Sequence, residues 1–336
     1  MTNLKTKIKL WLTYDAKSAY PIPPENAEDL YAEFDSDVTI GYVSSAITRN
    51  GYQLTKVGNY TQLMKYLRKY DTSNVLVFNL CECLYGRGRE ALVPALLDHY
   101  NVKYIGSDPV TMCTTLDKVT AKKVVAYHGI KTPDFCEINT MNDSERCALK
   151  FPVILKLRCE GTSKGIDTGS VVYTRSALVK RTRELMRRYP GTQMIAEKFL
   201  TGMEFTVGVT GNAVPEALPP VQVIIDGKSV LGDKVYTYDM VANPGVDYLC
   251  PVKAGPKLLH KLSVMAIDAY KALECRDFGR IDIRTDFEGV PYFLECNPLP
   301  SLTENDIWPL AAEAAGMSYD KIIGKIIRLA ELRYGL

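Results

Sequence analysis

Short apolar runs alternate with amphipathic stretches through the first third of the chain, and closely spaced strands follow. Ile8–Tyr14 (IKLWLTY) reads as a buried strand, and a polar, proline-containing connection over Asp15–Asp37 leads to an amphipathic helix over Val38–Asn50 that Gly51 stops. Leu63, Met64 and Leu67 give Tyr60–Tyr70 helical spacing; Asn74–Leu80 (NVLVFNL) is a second strand, Glu90–His99 a helix and Val102–Ile105 a third strand. Strands alternating with helices pair in parallel, and ligands bind such sheets beyond the carboxyl ends of the strands. The connection Cys81–Glu90 (CECLYGRGRE) is therefore predicted to face a substrate.

Beyond a helix over Lys118–Gly129 the pattern changes. Pro152–Arg158, Val171–Tyr173, Gln193–Phe199, Phe205–Thr210 and Gln222–Ile225 predict an antiparallel α+β region, with a hairpin signal at Gly211-Asn212. A long helix from Pro256 to Cys275, a hairpin and a helix over Tyr319–Tyr334 close the chain, the last with Ile322, Ile323, Ile326, Ile327 and Leu329 at core spacing.

At 336 residues, and roughly 150 residues per domain, two or three domains are expected. Lys and Arg number 41 against 39 Asp and Glu, so nothing points to a polyanion-binding surface, and a nucleic-acid partner is not expected. The nine cysteines are scattered, with no CxxC and only three histidines in the chain; zinc requires clustered ligands, so they read as reduced thiols. His99, His128 and His260 fall in predicted helices and receive no role. The first residues hold no apolar run long enough for a signal peptide or a membrane span, which makes a cytoplasmic location the expectation.

The segment 279–304 (GRIDIRTDFEGVPYFLECNPLPSLTE) carries the most chemistry. A two-residue turn at Glu288-Gly289 would set Asp282 opposite Glu295 and Arg280 opposite Asn297. With a side-chain period of two, all four then project from one face. Two carboxylates opposed across strands repel, so a cation should sit between them, and hard oxygen donors suit Mg²⁺ bound with a triphosphate. The alternative is a solvated polar face on which Arg280 and Arg284 pair with the two carboxylates.

Two further segments are weaker when taken singly. Phe151–Ile166 (FPVILKLRCEGTSKGI) is a strand ending near Lys156 and a loop, Glu160 to Gly165, whose Gly161, Thr162 and Ser163 can offer N–H groups to phosphate; a mobile turn is the alternative. Glu197-Lys198-Phe199-Leu200, with Glu204 beyond, offers an edge for an adenine and a carboxylate for a ribose; the alternative is a solvated strand edge.

Taken in order and spacing, Lys118 in TLDK, Lys156 in VILK, EGTSKGI, EKFLTGMEFTVGV, GRIDIR and LECNPLP resemble the signature of ATP-grasp carboxylate–amine ligases, most closely the D-alanine–D-alanine ligases, over roughly residues 75–330. The resemblance implies an ATP-grasp fold with an N-terminal parallel-sheet domain at 1–117, a central lobe at 118–203 and a C-terminal lobe with the metal site at 204–336. It implies ATP held by Lys118, Lys156, Glu160, Gly161, Glu197, Lys198, Leu200 and Glu204. Two Mg²⁺ ions, for which Mn²⁺ could substitute, would sit on Asp282, Glu295 and Asn297, with Arg280, Thr162 and Ser163 in catalytic positions. The implied chemistry is attack of a carboxylate on the γ-phosphoryl group, then of an amine on the acyl phosphate. Such enzymes are often homodimers, although nothing in this sequence locates an interface.

The substrate elements depart from the family. Asp35 stands near the family's N-terminal Glu, with Asp37-Val38-Thr39-Ile40 resembling its helix start, and Glu82 replaces a His. Val241-Ala242 fall where a Lys-Tyr pair is usual, Asp306-Ile307 fall where a Ser-Leu grips the second substrate's carboxylate, and Thr162 replaces the phosphate-loop serine. Asp35, Glu82, Arg87, Ser301 and Asp306 are thus the candidate substrate contacts, with Arg87 and Arg89 as a clamp for an anionic first substrate or, alternatively, solvated arginines. A carboxylate beside Asp306 would meet like charge. The expectation is a dipeptide or natural-product ligase whose nucleophile lacks a carboxylate there or brings a cation. The alternatives are a D-alanine–D-alanine ligase of cell-wall synthesis, a catalytically silent ATP-binding regulator, and a kinase that stops at phosphorylation.

Overall fold

In a computed structural model of the protein, residues 8–24, 28–242, 245–303 and 306–336 are described. The side chains of Val241 and Ala242, and Glu304, lie outside the described residues. Three sheets follow one another along the chain.

The first sheet contains β1 (Lys9–Tyr14), β2 (Gln53–Gly58), β3 (Val75–Leu80) and β4 (Lys103–Ile105), all parallel, in the order β2-β1-β3-β4. Its crossovers are α1 (Asp37–Arg49), α2 (Tyr60–Lys69) and α3 (Leu92–His99), after which come α4 (Pro109–Leu116) and α5 (Lys118–Tyr127). Every residue of β3 is buried, as a central strand covered on both faces must be. β2 escapes the hydrophobic pattern because it is an edge strand, burying only Val57 and Gly58.

The second sheet, β5 (Phe135–Ile138), β6 (Val153–Leu157), β7 (Val171–Val172) and β8 (Met194–Lys198), is antiparallel in the order β5-β8-β6-β7 and carries α6 (Met141–Arg146) and α7 (Arg175–Arg188). The apolar pattern missed α7 for a physical reason. Its inner face alternates Leu178 and Leu185 with the buried Arg181 and Thr182, and Arg181 is neutralised by Asp167 at 2.7 Å.

The third sheet holds β9 (Glu204–Thr210), β10 (Glu216–Ala217), β11 (Val221–Ile225), β12 (Val246–Leu249), β13 (Phe278–Thr285) and β14 (Pro291–Asn297). The order is β12-β11-β9-β13-β14, with β10 beside β9. With it come α8 (Tyr238–Ala242), α9 (Pro256–Ala272), α10 (Ile307–Ala314) and α11 (Tyr319–Tyr334). Gly211-Asn212 is not a tight hairpin turn: Gly211 N–H donates to Asp277 O at 2.9 Å and Asn212 Nδ2 to Asp277 Oδ1 at 3.0 Å, anchoring a longer connection to β10.

Two packings cross between sheets and build the walls of a central cleft. Ala121 and Val125 of α5 bury against Val207, Ile281 and Phe293 of the third sheet. α11 packs on α1 and β4 of the first lobe and α10 on β9 and β11 of the third sheet, in one core where Trp308 and Ile323 join Leu10 and Phe78. Arg49 of α1 holds Asp320 of α11 through two hydrogen bonds of 2.6 and 2.7 Å. Among the described residues, no helix is long and apolar enough to cross a membrane.

Candidate active site

The hairpin of β13 and β14 has the register the sequence predicts at its open end, by a different route. Arg280 pairs with Asn297 and Asp282 with Glu295. The turn, however, is not the two-residue one expected at Glu288-Gly289. Gly289 N–H donates back to Asp286 O at 3.1 Å, and Gly289 takes a left-handed φ of 80°, which makes a three-residue tip. The register shift this causes is undone by a bulge at Leu294, between the Asp282–Glu295 and Ile283–Phe293 pairs. The bulge also lets Leu294 and Glu295 both line the cleft while Phe293 and Cys296 stay in the core.

Carboxylates opposed in this way need cations, and the chain supplies them. Arg280 chelates Asp282 through Nε at 3.1 Å and Nη2 at 2.9 Å, while Thr206 Oγ1 and Asn297 Nδ2 donate to the same carboxylate at 2.6 and 3.0 Å. Lys118 Nζ meets Glu295 at 3.1 Å. Arg284 does not join them; it pairs with Glu204 at 3.1 Å and lies over the Phe199 ring. Burial works against the charge on Glu295, but Lys118, Lys156 and Arg280 outweigh it and hold the carboxyl at about 2. Among the described residues no three of His, Cys, Asp and Glu gather as a metal site. Asp282 and Glu295 are a pair to which Asn297 adds an amide, a donor set that fits Mg²⁺ sharing its shell with phosphate and water.

Lys118 is placed by its helix cap. Asp117 accepts from Val119 N–H and Thr120 N–H at the start of α5 and is gripped by Arg158 Nε at 2.7 Å and Nη2 at 2.8 Å, which ties α5 to the end of β6. Burial would raise the Asp117 carboxyl, but the Arg158 fork and the backbone N–H groups bring it down to about 2. Lys118 Nζ also donates to Glu160 O at 2.6 Å. Four residues on, one helical turn further, stands Lys122, a residue the motifs did not flag although its spacing from Lys118 puts it on the same face. It is fully buried, donates to Thr132 Oγ1 at 3.0 Å and faces Glu197 at 3.5 Å. Lys156 reaches the other oxygen of Glu197 at 3.1 Å. Burial pushes the Lys122 ammonium down to about 8. Burial raises the Glu197 carboxyl, yet Lys122 and Lys156 carry it below its ordinary value.

The loop after β6 is held from the first sheet's side. Thr162 and Ser163 take left-handed φ angles of 47° and 53°. Gly161 N–H donates to Glu33 Oε1 at 2.6 Å, and Arg89 clamps the other Glu33 oxygen and Cys159 O. Glu33, another residue the motifs did not single out, thus sits as an anion on the amide of a loop suited to phosphate.

One cavity of about 720 Å³ is lined by every candidate site residue except Arg87 and Arg89. Ile154, Ile166, Phe199 and Val235 form an apolar slot at one side, between the second and third sheets. Asp306 caps α10 by accepting Ile307 N–H at 2.7 Å, and Tyr236 and Tyr248 also line the cavity, their hydroxyls 3.4 Å apart. Burial raises the Asp306 carboxyl and Arg280 opposes it. Two expectations are corrected: Arg87 is exposed and turns to Asp117 at 2.6 Å, and Arg89 is buried under Glu33 and Glu160, so neither presents a fork to a ligand.

A parallel-sheet lobe, an antiparallel lobe and a third lobe enclosing one lysine-, carboxylate- and glycine-lined cleft define an ATP-grasp protein. The family model described as "D-ala D-ala ligase C-terminus" matches residues 118–328. A D-alanine–D-alanine ligase from Desulforudis audaxviator is 31% identical over 87% of this chain and 92% of its own. Among solved structures, a Bacillus anthracis D-alanine–D-alanine ligase complexed with ATP superposes with a TM-score of 0.73 at 21% identity, covering 98% of both chains. The VanG D-Ala:D-Ser ligase of Enterococcus faecalis gives 0.76 at 18% identity over 96% of this chain and 99% of its own. The chain belongs to the D-alanine–D-alanine ligase family.

Proposed function

We propose that the protein is an ATP- and Mg²⁺-dependent, ADP-forming ligase that joins the carboxylate of an amino acid to an amine, with a second-substrate preference unlike that of its D-alanine-joining relatives. In this reading the lobes are 1–117, 118–203 and 204–336, and the nucleotide lies between the second and third. Its base enters the slot of Ile154, Phe199 and Val235, with Glu197, Lys198 and the backbone near Leu200 at its edge and Glu204 at the ribose. Lys118, Lys156 and the amides of Glu160 to Ser163 receive the phosphates. Glu33 must then release Gly161 N–H or share it.

Asp282, Glu295 and Asn297 hold Mg²⁺, two ions in the family's manner. Bound there, Mg²⁺ would supply neutralisation of phosphate charge. With Asp282 and Glu295 engaged in this way, Lys118 and Arg280, which pair with them in the structure, would be free to face the transferring group. Arg280 stabilises the charge that develops, Thr162 and Ser163 contribute loop donors, and closure keeps water from the acyl phosphate.

The observation that carries the altered specificity is Asp306. A helix N-terminus is a ready site for an anion, but at α10 the chain's own carboxylate occupies it, accepting Ile307 N–H. A substrate carboxylate arriving there meets like charge in a half-buried setting. An amine without a neighbouring carboxylate, or with a second cation, meets Asp306 and the Tyr236–Tyr248 hydroxyls instead.

The test is ADP release with Mg-ATP across D- and L-amino acids, β-amino acids and simple amines, singly and in pairs, with mass spectrometry of the products. Turnover by an unlike pair is expected. D-Alanine alone yielding its dipeptide would refute the altered specificity and favour the cell-wall enzyme, the reading supported by the 31% identity to the Desulforudis ligase. ATP binding without turnover on any pair would favour a silent regulator.

A further inference from the structure

The end of the cavity nearest the first sheet holds more carboxyl groups than an α-amino acid needs. Five carboxylates gather there: Glu33, Asp35, Glu82, Glu90 and Glu160. Three cations stand against Glu33, Asp35 and Glu160. Arg89 pairs with Glu33 at 2.5 Å and approaches Glu160 at 3.6 Å, Lys164 pairs with Glu160 at 3.1 Å, and Lys17 lends its field to Asp35. Glu82 and Glu90 have neither an ion pair nor a hydrogen bond among the described residues; Arg89, and for Glu90 also Lys118, reach them only as a field.

Glu90 is the informative member. It is only 8% exposed, yet it lines the cavity. Burying a carboxylate without a partner is among the more unfavourable arrangements in a protein, and such groups persist where a ligand completes them. Burial and Glu33 push its carboxyl up to about 8, and Glu82 is raised by burial and by Glu90 and Glu33. A single α-ammonium group completes one of these two carboxyl groups and leaves the other.

Resting on the ligase reading above, we propose that the carboxylate-donating substrate is a basic amino acid, a diamino or guanidino acid, whose side-chain cation is received by Glu82 and Glu90. Its carboxylate then points along the cavity toward Arg280, and the α-ammonium lies on the Asp35 side. A neutral amino acid fits the space but leaves one carboxylate desolvated and alone, so selection is by charge rather than by shape.

Hydroxylamine as the nucleophile removes dependence on the second substrate, because it displaces phosphate from any acyl phosphate to give a hydroxamate. Hydroxamate and ADP are measured with Mg-ATP and each enantiomer of lysine, ornithine, arginine and 2,3-diaminopropionate, against norleucine and alanine. The basic acids are expected to exceed norleucine in kcat/KM on the order of ten- to a hundredfold, the range of one charge-assisted hydrogen bond. Glu82→Gln should bring that ratio close to one, and Glu90→Gln serves if the first variant does not fold; ATP binding reports the fold of each. Norleucine or alanine matching the basic acids would overturn the charge proposal while leaving the ligase intact. ATP binding with no hydroxamate from any acid would overturn the ligase reading and this proposal with it.

Discussion

Lys122 and Glu197 form a buried ion pair whose two halves should respond to mutation with opposite signs. Lys122 is fully buried and Glu197 1% exposed, and they approach only to 3.5 Å, with Glu197 Oε1 making no hydrogen bond. The ammonium's fall from 10.5 to about 8 means that at pH 7 its charge is disfavoured in the folded state by on the order of 3 kcal/mol, Glu197 included. Lys122→Met keeps the stem volume and removes that penalty, while Glu197 retains Lys156 at 3.1 Å. The variant should be neutral or more stable by up to about 3 kcal/mol, as when buried ion pairs elsewhere are replaced by apolar groups. Glu197→Gln instead strands Lys122 and Lys156 together and should lose about 3–5 kcal/mol. Urea unfolding at pH 7 measures both. The pH dependence gives a second reading. Between about 8 and 10.5 the unfolded chain binds more protons at this site than the folded one, so wild-type stability should rise with pH across that window, and Lys122→Met should remove the slope. A Lys122→Met variant as destabilised as Glu197→Gln would refute the reasoning.

Other outcomes follow from single contacts. A Cβ on Gly202 would collide with Thr285 Oγ1 and the Thr285 and Asp286 carbonyls, which are backbone and cannot yield; Gly202→Ala should fail to accumulate as folded protein or melt at least 10 °C lower, on the order of 2–4 kcal/mol or more. Glu90, with its carboxyl pushed up to about 8 by burial, binds a proton in the folded state that the unfolded chain releases near 4.5. Its contribution is therefore present below about 4.5 and lost as pH rises toward 8; melting of the ligand-free protein should fall over this window, and Glu90→Gln should flatten the decline. Lys118→Met should lower kcat by roughly a hundredfold or more, since Lys118 bridges Glu295 and the loop after β6 through Glu160 O. An unchanged turnover would remove it from the reacting end of the cavity.

What the residue order determined is whatever depends on local periodicity and on matched motifs. β1 and β3 were legible because a buried strand is a continuous apolar run, and α11 because its isoleucines recur at helical spacing. The pairing of Asp282 with Glu295 was read from an assumed two-residue turn, and it survived that misreading only because the bulge at Leu294 restored the register. That bulge belongs to tertiary structure: Phe293 must bury against α5 and α9, and the strand slips one residue so that Glu295 still faces the cleft. Lys122, Glu33 and Arg89 are contacts between segments far apart in sequence, Glu33 with Gly161 across 128 positions, and no local pattern encodes which distant charge a buried group will meet. The same holds for Arg87, whose place in the connection beyond β3 suggested a ligand but whose guanidinium is taken by Asp117. Periodicity tells a residue which face it occupies; only the packed chain decides what stands opposite, because electrostatic and packing energies act through space and not along the backbone.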